Sequence, residues 1–239
     1  NTLTMTSGRV SVRGKLMATL FVAQVCGSTG QSIGLAVGSI VAASITGTNT
    51  WSGLPIAVGA LGTALASWPL ARLMARSGRR PGLALGYGLA VIGALLTMMG
   101  VGVRSFWLLL GGMALFGIAS TSNLLARYAA ADVTAPAQRG RAMGLIVWGS
   151  TIGSIIGPNL MAPALRLGAL LGVSSVASAF LIAVGSYALA SVLIEVFLRP
   201  DPLTIARHSQ AIADAGRPAG PARRLGAILG DVRVQIALA

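Results

Sequence analysis

Residues Ala71–Gly82 read ARLMARSGRRPG. Four of these residues are arginines: Arg72, Arg76, Arg79 and Arg80. One apolar run ends just before the stretch, at Leu70, and another begins just after it, at Leu83. A short basic segment between two runs of bilayer length reads as a membrane loop, because charge is excluded from hydrocarbon and collects in the connections. Its sign also orients the chain, since cytoplasmic loops carry the arginine excess.

Composition agrees. The 239 residues are 54% hydrophobic, and only 10% are charged, against about 25% in an ordinary soluble domain. The mean hydropathy is +0.79. So few charges cannot cover a soluble domain of this length, so the chain reads as an integral membrane protein. In a soluble protein the net charge of +13 would suggest nucleic acid. Here the arginines occupy short gaps between apolar runs and lack interleaved aromatics, which is a topology signal, so nucleic acid is not an expected partner. Cys26 is the single cysteine and reads as a small buried hydrophobe. Seventeen of the eighteen basic residues are Arg and Ala is abundant, a hint of a GC-rich bacterial genome.

Six runs approach the length needed to span a bilayer. They cover about 16–45, 54–70, 83–103, 106–126, 142–165 and 170–198. No charge lies in the interior of a run, and Glu195 sits near the end of the sixth, within reach of the interface. The gaps alternate in charge. Arg9, Arg13 and Lys15 precede the first run, the second gap holds the four arginines, and the fourth holds Arg127, Asp132, Arg139 and Arg141. The tail adds Arg199, Arg207, Arg217, Arg223, Arg224 and Arg233. The other gaps hold only Arg104 and Arg166. One side therefore has 16 basic residues and the other 2, which predicts a multi-pass protein of the bacterial plasma (inner) membrane with both ends of this segment cytoplasmic. Trp51 and Trp107 fall at predicted outer interfaces and Trp68 near the inner one.

The predicted organisation is a cytoplasmic N-terminus at 1–15, a six-helix bundle at 16–198 and a cytoplasmic loop at 199–239 leading towards a seventh span. In that loop, about Asp214–Pro221 reads as a flexible linker, and the pattern turns amphipathic from Ala222. A start at Asn1 and an apolar run just beginning at Val234–Ala239 suggest a piece of a longer chain. The alternative for that run is a short amphipathic tail on the membrane surface.

Within the opening stretch, Gly78 suits a helix terminus and Pro81 suits the first turn of the next helix. Arg72 and Arg76 are four apart and share a face near the negative end of a helix dipole. The stretch thus codes a tight charged turn, either a topology signal alone or also a latch against another helix end. In the fifth run, Gly149, Gly153 and Gly157 form a smooth stripe where a helix can approach closely, and Pro158 favours a kink. Gly30, Gly34 and Gly38 form another stripe in the first run.

Polar residues inside the membrane are the default binding candidates. Gln24 and Gln31 are seven apart on one face of the first run, with Ser28 between them. The fourth run holds Ser120-Thr121-Ser122-Asn123. Gln24, Ser28, Gln31 and Asn123 are the substrate-cavity candidates, and hydrogen bonding between helices is the bland alternative for each. Neutral polar groups without a carboxylate suit an apolar, neutral or anionic solute better than a cation. No catalytic set, metal cluster or phosphate loop is present in the sequence, so neither an enzyme nor a cofactor is expected.

Arg76-Ser77-Gly78-Arg79-Arg80, between spans two and three, resembles motif A of the major facilitator superfamily. Ala75 stands where that motif carries an acidic residue, and Ala71 replaces its opening Gly. The motif A-like set here is Arg72, Arg76, Gly78, Arg79 and Arg80. Gly144, Gly149, Gly153, Gly157 and Pro158 resemble motif C of drug exporters, with Met161 and Ala162 in place of its closing glycines. Gln138–Gly144 and Phe106-Trp107 also resemble family segments. The Arg of motif B is absent, Met113 standing at its position, so the resemblance does not carry proton coupling in this half. It implies an all-α polytopic bundle, six helices as two inverted three-helix repeats, forming the N-terminal half of a transporter. It further implies alternating access with a second six-helix half, or a second copy, for a small-molecule solute in a lipid bilayer. Motif C implies export or antiport, of drug-like or lipidic compounds. The rival readings are an uptake facilitator of the same superfamily and a non-transporting six-span membrane scaffold.

Overall fold

The structure, a computed structural model, describes residues 2–172 and 175–207. The readings made for His208 onward lie outside the described residues.

The chain is helical, with no strand among the described residues. The helices are α1 (Thr2–Thr46), α2 (Leu54–Ser77), α3 (Arg79–Gly102), α4 (Phe106–Phe116), α5 (Ile118–Val133), α6 (Arg139–Asn159), α7 (Met161–Leu170) and α8 (Ser175–Phe197). Among the described residues, five helical stretches are long and apolar enough to cross a bilayer, and the bent pair α6–α7 makes a sixth if counted as one span. The 23 residues of α8 extend about 35 Å, enough for a hydrocarbon core of about 30 Å. The outer surface is apolar: Leu65, Trp68, Trp107 and Ile155 are all more than 60% exposed. That surface suits lipid, where exposed backbone polar groups would be costly and helices satisfy them internally.

Helix α1 is the central element, packed along α6 and α8 and also touching α5. α3 packs on α4 and α8, and α2 on α4 and α5. Two spans are broken. The fourth breaks at Gly117 between α4 and α5, where the Thr63 hydroxyl donates to the Gly117 carbonyl at 2.8 Å. The Thr121 hydroxyl in turn donates to the Thr63 carbonyl at 3.0 Å. These bonds tie α2 to the junction of α4 and α5. The fifth span bends by 50° between α6 and α7, just after Pro158, whose missing N–H weakens the helix there.

At the arginine-rich end the helices outrun the apolar runs. α1 starts at Thr2 rather than Leu16, α2 continues to Ser77 rather than Leu70, and α5 continues to Val133 rather than Ala126. Apolarity marks only what lies in hydrocarbon, whereas helical hydrogen bonding persists wherever polar side chains can be accommodated. The turn between α2 and α3 is the single residue Gly78, at φ +111° and ψ +164°, a region that only Gly occupies without strain.

Candidate functional site

The four cavity candidates of the sequence line one cavity between α1, α5 and α6, in two separate hydrogen-bonded groups. Gln31 on α1 donates from Nε2 to Ser120 Oγ at 2.6 Å, and its Oε1 accepts from Asn123 Nδ2 at 2.8 Å. Asn123 Oδ1 accepts from the buried Tyr87 hydroxyl of α3 at 2.7 Å. One turn or more along α1, Gln24 Nε2 donates to Ser150 Oγ of α6 at 2.7 Å and to Ser28 Oγ at 3.4 Å. The Gln24 Oε1 acceptor is buried with no partner among the described residues. The spacing of seven between Gln24 and Gln31 puts both on the α1 face that meets α5 and α6.

Apart from Tyr87, these groups line a cavity of about 260 Å³, with Leu35 and Leu124 as apolar neighbours. Gln31 and Ser120 also line a second cavity of about 280 Å³, which reaches α2. Beside the network sits an aromatic cluster, Phe116 edge-on to Tyr187 with centroids 5.1 Å apart.

Arg127 is the residue that reading by hydropathy misplaces. Counted as a loop residue because the apolar run stops at Ala126, it lies within α5, half-buried, and lines the same cavity as Gln24, Gln31 and Asn123. A signal was available: Ser120, Asn123 and Arg127 are spaced three and four apart, one polar face of one helix. Tyr87, a lone polar group in an apolar stretch, and Ser150, beside Thr151, were also missed, since only the fold reveals their partners.

The motif C-like stripe faces α1 at backbone contact. A Cβ at Gly153 would overlap the Val25 carbonyl and sit 2.8 Å from Ser28 Cβ, and one at Gly157 would overlap Ser32 Oγ. This close approach brings Ser150 within reach of Gln24. Gly144 is different, since a side chain there would meet open space.

At the arginine-rich end, the acidic partners absent from the opening stretch come from three other segments. Arg79 Nε donates to Asp132 of α5 at 2.8 Å. Arg80 bonds both the carboxylate and, at 2.9 Å, the backbone carbonyl of Glu195 on α8. Asp201 accepts the backbone N–H groups of Arg79 and Arg80 at 3.0 and 2.8 Å, capping the first turn of α3 from a distant part of the chain. Arg72 lies over the Trp68 ring at 5.0 Å, a cation–π contact, and Arg76 is exposed. The α2–α3 turn is thereby tied to α5 and α8 within this bundle. Among the described residues no group of three or more potential metal ligands occurs.

Comparison with known proteins agrees with this architecture. Residues 17–238 match the sequence pattern of the Major Facilitator Superfamily. The chain is similar to YdeG of Bacillus subtilis (strain 168), an uncharacterized MFS-type transporter, at 36% identity over 81% of this chain and 46% of that protein. YddS of the same organism, also an uncharacterized MFS-type transporter, is 31% identical over 84% of this chain and 45% of its own length. The riboflavin transporter RfnT of Brucella anthropi is 26% identical over 59% of this chain and 36% of its own. In structure, the chain is similar to the human organic anion transporter MFSD10 (TETRAN), with a TM-score of 0.60 and 19% identity, covering 80% of this chain and 49% of that one. The chain spans about half the length of the curated relatives it matches. An all-α multi-pass bundle, a sequence match along nearly its whole length and a shared fold agree: the chain belongs to the Major Facilitator Superfamily of membrane transporters.

Proposed function

We propose that this bundle is one half of a transporter that moves a small solute across the bacterial plasma membrane by alternating access. The observation that carries the reading is that the polar side chains of Gln24, Gln31 and Asn123 line one cavity of an otherwise apolar bundle. Polar groups within the membrane are costly where they serve nothing, and they mark solute paths. A second six-helix half, or a second copy of this bundle, would close the other side of the cavity. The arginine-rich end would face the cytoplasm by the positive-inside rule, placing both ends of the segment there. Residues 1–15 and 199–239 would be the flanking cytoplasmic parts of the bundle at 16–198.

The direction we infer is export, by antiport, of a drug-like or lipidic compound. Its support is the motif C-like segment, with its tight stripe against α1 and its bend after Pro158. Leu35 and Leu124 beside the polar groups suit an amphipathic solute, and the relative named a riboflavin transporter has a planar heteroaromatic in its name. The test is transport by the full-length protein in inverted membrane vesicles, with fluorescent riboflavin and carboxyfluorescein as solutes. Accumulation in the lumen is expected. Movement only from lumen to bath overturns export, and movement in neither direction overturns transport of this solute class.

A further inference from the structure

Arg127 carries a charge that the described structure leaves uncompensated. An unpaired guanidinium withdrawn from water is costly. Its Nε is buried and has no hydrogen-bond partner among the described residues. Among the described residues, every carboxylate is engaged elsewhere. Asp132 pairs with Arg79, Glu195 with Arg80, and Asp201 caps α3. The cavity that Arg127 lines contains neutral polar groups and leucines, and no acidic residue.

The helix geometry works against an escape to the membrane surface. Arg127 lies five residues before Asp132, or about 7 Å deeper along the helix. Side chains in a helix tilt towards its N-terminus. In α5 that direction leads away from the arginine-rich end, towards Asn123 and Ser120 one and two turns on. A group reaching for headgroups would run against that tilt.

We propose that Arg127 is an anion-binding residue of this cavity, so that the solute is an organic anion whose carboxylate or comparable group meets the guanidinium while its apolar body lies along Leu35 and Leu124. The inference rests on the cavity being the solute site, and it names the substrate class of that site. It also assigns a ligand to a residue outside the motif A-like and motif C-like sets.

The test is direct binding to the full-length protein in nanodiscs, with 2-naphthoate, 2-naphthamide and 2-naphthylmethylammonium as probes of one shape and three charges. Naphthoate should bind most tightly. Arg127→Gln should weaken naphthoate by about tenfold or more, the worth of one charge-assisted hydrogen bond, and leave naphthamide unchanged. Arg127→Lys should keep the preference for the anion in weaker form. Unliganded R127Q should melt no lower than the parent, because it removes an unpaired charge. Equal binding of naphthoate and naphthamide, no binding at millimolar naphthoate, or naphthoate binding indifferent to R127Q overturns the proposal. So does a steep loss of stability in R127Q that a carboxylate-to-neutral change in the rest of the protein repairs, for Arg127 would then belong to an ion pair. Transport is read separately. Arg127-dependent binding without solute movement removes the transport reading and keeps the anion site, whereas movement insensitive to R127Q does the reverse.

Discussion

Replacing Asn123 with Leu and Tyr87 with Phe, singly and together, measures how tightly the polar network holds the bundle. Asn123 makes two side-chain bonds, accepting from Tyr87 at 2.7 Å and donating to Gln31 at 2.8 Å. Asn123→Leu therefore strands a buried hydroxyl on α3 and a carbonyl oxygen on α1. Side-chain hydrogen bonds between membrane helices average about 0.6 kcal/mol and reach about 1.7, so two bonds give roughly 1–3 kcal/mol. Tyr87→Phe removes only the first bond, at about 0.6–1.7 kcal/mol. The double variant should lose less than the sum of the singles, by the value of the bond they share. The measurement is denaturant unfolding of the purified full-length protein in mixed micelles. Losses that add to within about 0.5 kcal/mol would show that Tyr87 and Asn123 are uncoupled. The network would then be an arrangement without energetic content.

Other substitutions probe separate parts. Gly153→Val should separate α1 from α6 and cost about 1–3 kcal/mol by overpacking against backbone that cannot yield, and it should lower transport because Gln24 and Ser150 part. Gly78→Ala should cost about 1–3 kcal/mol for its backbone conformation, and it also pushes the Asp201 carboxylate off the first turn of α3; thermal melting reads both it and Asp201→Ala, which removes the cap alone at about 0.5–2 kcal/mol. Arg79→Gln with Arg80→Gln should loosen the ties to Asp132 and Glu195 by about 1 kcal/mol or less each and lower transport, while Arg72 and Arg76 hold the orientation. Unchanged topology with unchanged transport would reduce the α2–α3 turn to a marker of sidedness.

The sequence carried the bundle because hydrocarbon imposes a simple rule. Where six apolar runs alternate with arginine-rich and arginine-poor gaps, the helices follow within a few residues at most ends. Gln24, Ser28, Gln31 and Asn123 stand out in the sequence against leucine and alanine, and the fold sets all four along one cavity. Arg127 was lost for the same reason that the spans were found. A hydropathy boundary assigns the first charge after an apolar run to a loop, although an arginine facing a polar cavity needs no loop. The partners of Arg79 and Arg80 were hidden in a different way. Ala75 removes the local acid, and the carboxylates come from residues 53 to 122 positions away in the chain, a proximity that no local pattern encodes. Tyr87 likewise reads as one more apolar residue until α3 is laid against α5.

Alternating access requires the cavity between α1, α5 and α6 to open in turn to each side of the membrane. Ser154 lines it and is exposed on the free face of the bundle. In the full-length protein with Cys26→Ser, a Ser154→Cys substitution can be challenged with a membrane-impermeant thiol reagent from one side at a time, in right-side-out and inverted vesicles. Labelling from both sides is expected, with each rate changed by transported solute. Labelling from one side alone, or from neither, would contradict alternating access.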